Sequence, residues 1–130
     1  MTARILIVDD QPDIRKLIRL TLQHLDDAEV HEADNGGDGW RLAQDIKPDL
    51  MLLDVMMPGE LDGYQVCAKV KGDPLLAGQT KVILLTARAQ KEDEELGRKA
   101  GADAYLTKAF SPLKLLDLMD NMLGLSLIHI

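Results

Sequence analysis

The segment ILIVDDQPDIR, residues 5–15, passes from an apolar run through two aspartates into a helix with proline in its first turn. Four apolar residues in a row are typical of a strand buried on both faces, and proline at a helix start costs no hydrogen bond. The same change from a short apolar run to a helical period occurs five times along the chain. Five successive strand–helix units require right-handed crossovers and predict a parallel sheet with helices on both faces.

The predicted fold class is α/β: a single doubly wound (βα)5 domain whose five-stranded parallel sheet has the flavodoxin-like order 2-1-3-4-5. The apolar runs predict strands at residues 4–8, 29–33, 50–53, 81–85 and 104–107. Helical spacing and capping residues predict helices at residues 12–25, 36–47, 64–71, 90–100 and 112–123. The weaker second strand suits the sheet edge, and the wholly apolar third strand suits the centre.

Composition limits the class of protein. The chain has 130 residues, 46% hydrophobic and 28% charged, which fits one globular domain. Its net charge of −7 argues against nucleic acid binding by this domain, because phosphate contact needs a basic face. The single cysteine, Cys67, excludes an internal disulfide and is expected to be a buried filler on a helix. With no signal peptide and no apolar run long enough for a membrane span, we expect the chain to be cytoplasmic.

Four of the predicted strands end in residues that can handle a phosphoryl group. Asp9 and Asp10 follow the first strand, Asp54 the third, Thr86 the fourth and Lys108 the fifth. Each of these alone is more often a cap, a strand end or a surface residue. The carboxyl ends of parallel strands share one edge, however, so we expect the five side chains to form one site.

Three crowded carboxylates repel one another, and a hard cation relieves that repulsion. The sequence therefore predicts Mg²⁺, or alternatively Mn²⁺, at this edge. A carboxylate beside such an ion, with Lys108 and Thr86 nearby, can attack phosphorus to give an acyl phosphate on Asp54. Asp34, at the end of the second strand, is expected to lie too far away to take part.

Over about residues 3–123, the chain resembles the receiver domain of bacterial two-component response regulators. The resemblance rests on VDDQPDIR at 8–15, LLDVMMPG at 52–59, LLTA at 84–87 and GADAYLTKAF at 101–110. It implies a phosphorylation-dependent signalling switch that is no turnover enzyme, although it assists its own phosphorylation and dephosphorylation. The phosphoryl donor would be a histidine kinase or a histidine phosphotransfer protein.

The resemblance also implies roles for individual residues. Asp54 would be the phosphoacceptor and a metal ligand, Asp10 a direct metal ligand, and Asp9 a ligand through water. The Met56 backbone carbonyl would complete the protein ligands, and the Met56 side chain would tune phosphoryl lifetime together with Arg88. Thr86 and Lys108 would contact the phosphoryl group.

Tyr105 resembles the aromatic switch residue, which turns inward when Thr86 is drawn toward the phosphate. Its alternative interpretation is an ordinary half-buried strand tyrosine. The donor would dock over the first helix, with Ile14 and Arg15 at the rim of that surface. An output domain or protein would respond to the surface from strand 4 to helix 5, and the helix 4–strand 5–helix 5 face is a candidate homodimer contact.

Two segments depart from the family pattern. The loop MMPGELDG, residues 56–63, is one residue longer than the common form, and we expect it to bulge outward without moving Asp54. The family usually has proline after the lysine, with a cis peptide before it, where this chain has Ala109. A cis bond there would cost about 2.5–4 kcal/mol, so cis and trans both stay open.

We expect the receiver domain to span residues 1–124. The remaining LSLIHI, residues 125–130, matches one translated frame of a transposon sequencing adapter, and we hypothesise that it is an artefact.

The charged run KEDEE at residues 91–95 has two interpretations. It is typical of a solvated helix face, and it also suits a loosely held helix that shifts on phosphorylation. In either case we expect Leu96 and Ala100 to be the main apolar anchors of this helix.

The sequence fits two other functional classes less well. Phosphatases or phosphotransferases of the haloacid dehalogenase type also use aspartate and Mg²⁺, but in a DxDxT pattern after the first strand, whereas DDQPD at 9–13 has no threonine. A flavin-binding electron carrier would need a Ser/Thr/Gly-rich loop at that place and more aromatic residues than one Trp, two Tyr and one Phe.

Overall fold

A computed structural model of the chain describes residues 3–23, 25, 27–87, 90–108 and 110–123. Arg88, Ala109 with its peptide bond to Lys108, and residues 124–130 lie outside the described residues. The lifetime role of Arg88, the geometry of that peptide bond and the origin of the tail therefore stay predictions.

Five parallel strands form the sheet: β1 (Ala3–Val8), β2 (Ala28–Ala33), β3 (Leu50–Asp54), β4 (Lys81–Thr86) and β5 (Ala104–Thr107). Their order is β2-β1-β3-β4-β5, which confirms the predicted topology. Val8 pairs with Leu53, and Asp54 pairs with Leu85. This register brings the ends of β1, β3 and β4 together at one edge.

Five helices alternate with the strands: α1 (Pro12–Leu22), α2 (Gly36–Ile46), α3 (Gly63–Gly72), α4 (Lys91–Ala100) and α5 (Pro112–Leu123). Helix α1 ends three residues before the predicted limit, so Leu25 packs from beyond the helix. Helix α3 begins with a capping box in which Asp62 and Gln65 exchange hydrogen bonds, and Ser111 accepts the Lys114 N–H at the start of α5. Gly101 ends α4 in the left-handed conformation, as predicted.

Alternate residues of each strand face opposite sides of the sheet, which gives the molecule two core layers. Ile5, Ile7, Leu50 and Leu52 share one layer with residues of α1 and α5. Leu6, Val8, Met51 and Leu53 share the other with residues of α2 and α3, including the predicted filler Cys67. Every residue of β3 is buried, as expected for a central strand.

Helix α4 differs from the prediction. Leu96 is 48% exposed, whereas Gly97 is the buried residue among the ten of this helix. A Cβ at Gly97 would come within 2.9 Å of the Tyr105 ring and 3.1 Å of the Leu84 side chain. Because glycine has no side chain, the helix backbone can pack directly against these two residues. Ala100 packs against the core as expected, while the charged run is mostly exposed.

In the described part of the chain, none of the helices is both long enough and apolar enough to cross a membrane.

Candidate functional site

The backbone at the carboxyl ends of β1 and β3 holds the acidic residues in place. The Asp9 N–H donates to the Ala33 carbonyl at 3.1 Å, and the Val55 N–H donates to the Leu85 carbonyl at 3.0 Å. Gly63 packs directly on the end of β3, where a Cβ would lie only 2.1 Å from the Asp54 carbonyl oxygen. Since no side chain fits there, the start of α3 packs closely over the backbone of Asp54.

Asp9, Asp10 and Asp54 form the predicted acidic cluster. Each offers a carboxylate oxygen, and these oxygens lie within 4.8 Å of one another. Asp9 and Asp54 are almost completely buried, at 0% and 1% exposed. Among the described residues, one oxygen of each of the three carboxylates is buried without a hydrogen bond. Buried carboxylates this close are costly unless a cation compensates them.

Lys108 is the ammonium that the structure brings to this cluster. Its Nζ lies 3.1 Å from Asp54 Oδ2 and 3.2 Å from Asp9 Oδ2. It also donates to Asp9 Oδ1 at 3.4 Å and to the side-chain carbonyl of Gln11. One positive charge against three carboxylates leaves the site negative, which is the condition that favours a divalent cation.

Gln11 is a site residue that sequence reasoning missed. Its backbone N–H donates to Asp9 Oδ1 at 2.8 Å, and its side chain accepts from Lys108. The available signal was its position directly after the two aspartates, in the loop between β1 and α1. Arg15, predicted at the rim of the donor surface, donates to the Asp9 carbonyl at 2.8 Å and pairs with Glu32 at 3.3 Å. Ile14 is half-buried and packs against the core.

The electrostatics of the site act most strongly on Asp54. Burial raises the pKa of its carboxyl from 3.8 to about 7, and the charge of Asp9 and the neighbouring Asp10 carboxyl act in the same direction. Lys108 and the Met56 backbone N–H, which donates at 3.2 Å, oppose that rise in pKa. Without a cation, the Asp54 carboxyl is therefore held partly protonated near neutral pH.

The donor set fits Mg²⁺. Three carboxylates each offer an oxygen within 4.8 Å of the others, and Mg²⁺ takes oxygen ligands from one or two carboxylates while it keeps several waters. Asp34 is not in this group and lines a separate surface cleft with Asp38 and Asp45. The Met56 side chain is 76% exposed.

Thr86 and Tyr105 lie on the β4–β5 side of the site. Thr86 is 3% exposed at the end of β4, and its carbonyl accepts from the Lys108 N–H at 2.7 Å. Tyr105 is half-buried next to Leu84, and its hydroxyl lies 3.0 Å from that of Tyr64. The ring lies beneath α4, where a Cβ at Gly97 would come within 2.9 Å of it, and its role as a switch stays a prediction.

Comparison with known proteins gives one consistent result. Residues 5–120 match the response regulator receiver domain family. The chain is 40% identical over 112 residues to the transcriptional regulatory protein SrrA of Staphylococcus aureus, a match that covers 86% of this chain and 44% of that protein. The chain thus spans less than half the length of the curated relatives it matches.

Solved structures agree with this result. A putative response regulator from Chloroflexus aurantiacus superimposes with a TM-score of 0.87 at 31% identity, covering 96% of this chain and 100% of that one. A BeF3-activated DrrB receiver domain superimposes with a TM-score of 0.83 at 34% identity, again over 96% of this chain and 100% of that one.

Proposed function

This chain belongs to the response regulator receiver domain family, and from that membership we propose that it is a switch operated by phosphorylation of Asp54. The observation that carries the proposal is the environment of one carboxylate oxygen of Asp54. Asp54 Oδ2 is buried, lies 3.1 Å from the Lys108 ammonium and shares its site with two further carboxylates. Receiver domains are signalling domains, so we propose no turnover of an external substrate.

The transfer would be a displacement at phosphorus. An oxygen of Asp54 forms the new P–O bond while the P–N bond of a phosphohistidine on the donor breaks, and the electron pair of that bond stays on the histidine nitrogen. The product is an acyl phosphate on Asp54. Lys108 is proposed to pair with one phosphoryl oxygen, and Thr86 is proposed to donate its hydroxyl to another.

We propose that Asp10 and Asp54 are direct ligands of Mg²⁺ or Mn²⁺, with the Met56 carbonyl as third ligand and Asp9 acting through water. When bound, such an ion would neutralise negative charge on the acceptor and on the transferred group. The Met56 side chain and Arg88 are proposed to set how long the phosphoryl group lasts.

The donor is proposed to be a histidine kinase or histidine phosphotransfer protein that docks over α1. The signal would leave through the surface from β4 to α5, toward an output domain or protein, and the α4–β5–α5 face is the proposed homodimer contact. The name of the Staphylococcus aureus relative, a transcriptional regulatory protein, supports an output of that kind. We further propose that the receiver domain spans residues 1–124.

Labelling with a small phosphodonor tests the proposal. The chain is incubated with acetyl phosphate and Mg²⁺, and the mass of the intact protein and of its peptides is measured. We expect one phosphoryl group on the peptide that contains Asp54, lost on treatment with hydroxylamine and absent in Asp54→Asn. Asp117→Asn, a change of an exposed carboxyl on α5, should label like the unchanged chain. Equal labelling of the chain and Asp54→Asn would refute Asp54 as acceptor.

A further inference from the structure

The two tyrosines of this chain meet through their hydroxyl groups. Tyr64 lies in the first turn of α3 and Tyr105 in β5, and their hydroxyl oxygens are 3.0 Å apart. They are the only tyrosines among the 130 residues, and both are half-buried. A hydrogen bond between side chains 41 positions apart ties α3 to the strand that carries the proposed switch residue.

Tyr64 also contacts a third element. Its hydroxyl oxygen lies 3.0 Å from that of Tyr105, where either oxygen can be the donor, and 3.4 Å from the Asp93 carbonyl in α4, to which it can donate. Burial, followed by the hydrogen bond with Tyr105, raises the pKa of Tyr64 above its ordinary range, so the phenol stays protonated. The two contacts of the Tyr64 hydroxyl join β5, α3 and α4.

Helix α4 rests on this pair. Gly97 is the buried residue of this helix, and a Cβ there would lie 2.9 Å from the Tyr105 ring. The absence of a side chain therefore leaves room for the ring. Leu96 is exposed, and the first turn consists of charged residues. A helix with so few apolar contacts is held weakly, so its position depends on where the Tyr105 ring lies.

The same ring borders the outer surface. A cleft of about 120 Å³ between α4 and β5 is lined by Tyr105 together with Glu94, Arg98 and Ala102. On the inner side, Tyr105 pairs with Leu84, and Thr86 follows two residues later on the same face of β4. The ring thus lies between the strand that leads to the phosphorylation site and the surface that a partner would contact.

We propose that Tyr64 is a positioning residue for the switch: its hydroxyl holds Tyr105 inward beneath α4 and so favours the phosphorylated arrangement. This inference rests on the proposed function, since it takes the inward ring as the state that phosphorylation selects. A group that stabilises the inward state must also raise the affinity of Asp54 for a phosphoryl group, because the two equilibria are linked.

The test measures the affinity for beryllofluoride, a phosphoryl analogue, with Mg²⁺ present. The chain is labelled with 3-fluorotyrosine, so the ¹⁹F spectrum of Tyr64→Phe reports on Tyr105 alone. The loss of one hydrogen bond predicts that Tyr64→Phe binds the analogue about 2- to 10-fold more weakly. The Tyr105 resonance without analogue should move toward its value in the urea-unfolded chain.

Tyr105→Phe is the reciprocal variant, because it keeps the ring and removes the same hydrogen bond. If the bond is direct, the double variant Tyr64→Phe/Tyr105→Phe should bind the analogue no more weakly than the weaker single variant. Analogue affinity in Tyr64→Phe equal to or tighter than that of the unchanged chain would overturn the inference. If the unchanged chain and Asp54→Asn bind beryllofluoride equally, the proposed function fails instead, and the inference that rests on it fails too.

Discussion

Asn in place of Asp54 should stabilise the metal-free protein, and more so at high pH. In the folded chain the pKa of this carboxyl is about 7, against 3.8 for an ordinary aspartate. The folded state therefore binds the proton more tightly than the unfolded state. The contribution of Asp54 to stability is fully present below about pH 4 and is lost as the pH rises through about 7.

The magnitude follows from the two pKa values. The full difference corresponds to about 4 kcal/mol above pH 7. The opposing attraction of Lys108, whose Nζ lies 3.1 Å from Asp54 Oδ2, acts on the ionised carboxylate and is already included in this net difference. We therefore compare the variant with the unchanged chain at two pH values, and expect its advantage to be about 2–3 kcal/mol larger at pH 8 than at pH 5.

Urea unfolding in EDTA, followed by circular dichroism, measures this difference as a shift in midpoint at constant slope. Millimolar Mg²⁺ should then stabilise the unchanged chain more than Asp54→Asn, because a ligand of the folded state adds stability according to its affinity. Asp117→Asn, an exposed change, should track the unchanged chain at both pH values. An advantage of Asp54→Asn that is the same at pH 5 and pH 8, or that reverses at pH 8, would refute the account of a buried, destabilised carboxylate.

Three further outcomes are expected. Gly63→Ala forces a Cβ to within 2.1 Å of the Asp54 carbonyl oxygen and should lower the free energy of unfolding by about 1–3 kcal/mol. Gly72→Ala, at the open end of α3, should not destabilise the protein. Equal urea midpoints for the two variants would contradict this expectation. Burial raises the pKa of the Cys67 thiol to about 11, so iodoacetamide at pH 8 should label it, by mass spectrometry, only after unfolding in urea. Asp10→Asn should weaken Mg²⁺ binding at least about tenfold in calorimetry, and an unchanged affinity would remove Asp10 from the ligand set.

Much of the fold was predictable because the signals are local. The strand runs, the Gly101 cap and the Ser111–Pro112 helix start each depend on residues a few positions apart, and each was confirmed. The acidic cluster was predictable too, since strand order alone brings the ends of β1 and β3 together. The prediction that Leu96 anchors α4 was wrong. Which residues of a helix face the core depends on how the helix is rotated about its axis, and in α4 the buried residue is Gly97.

Sequence by itself determined the sheet order, the buried strands and the three carboxylates of the site, because periodicity and chain connectivity fix them. Tertiary structure alone decided the partners of side chains that are far apart in the chain. Gln11 accepts from Lys108 across 97 positions, and Tyr64 meets Tyr105 across 41. Such pairs depend on how closely helices approach the sheet, as at Gly97, and no pattern along the chain records that distance.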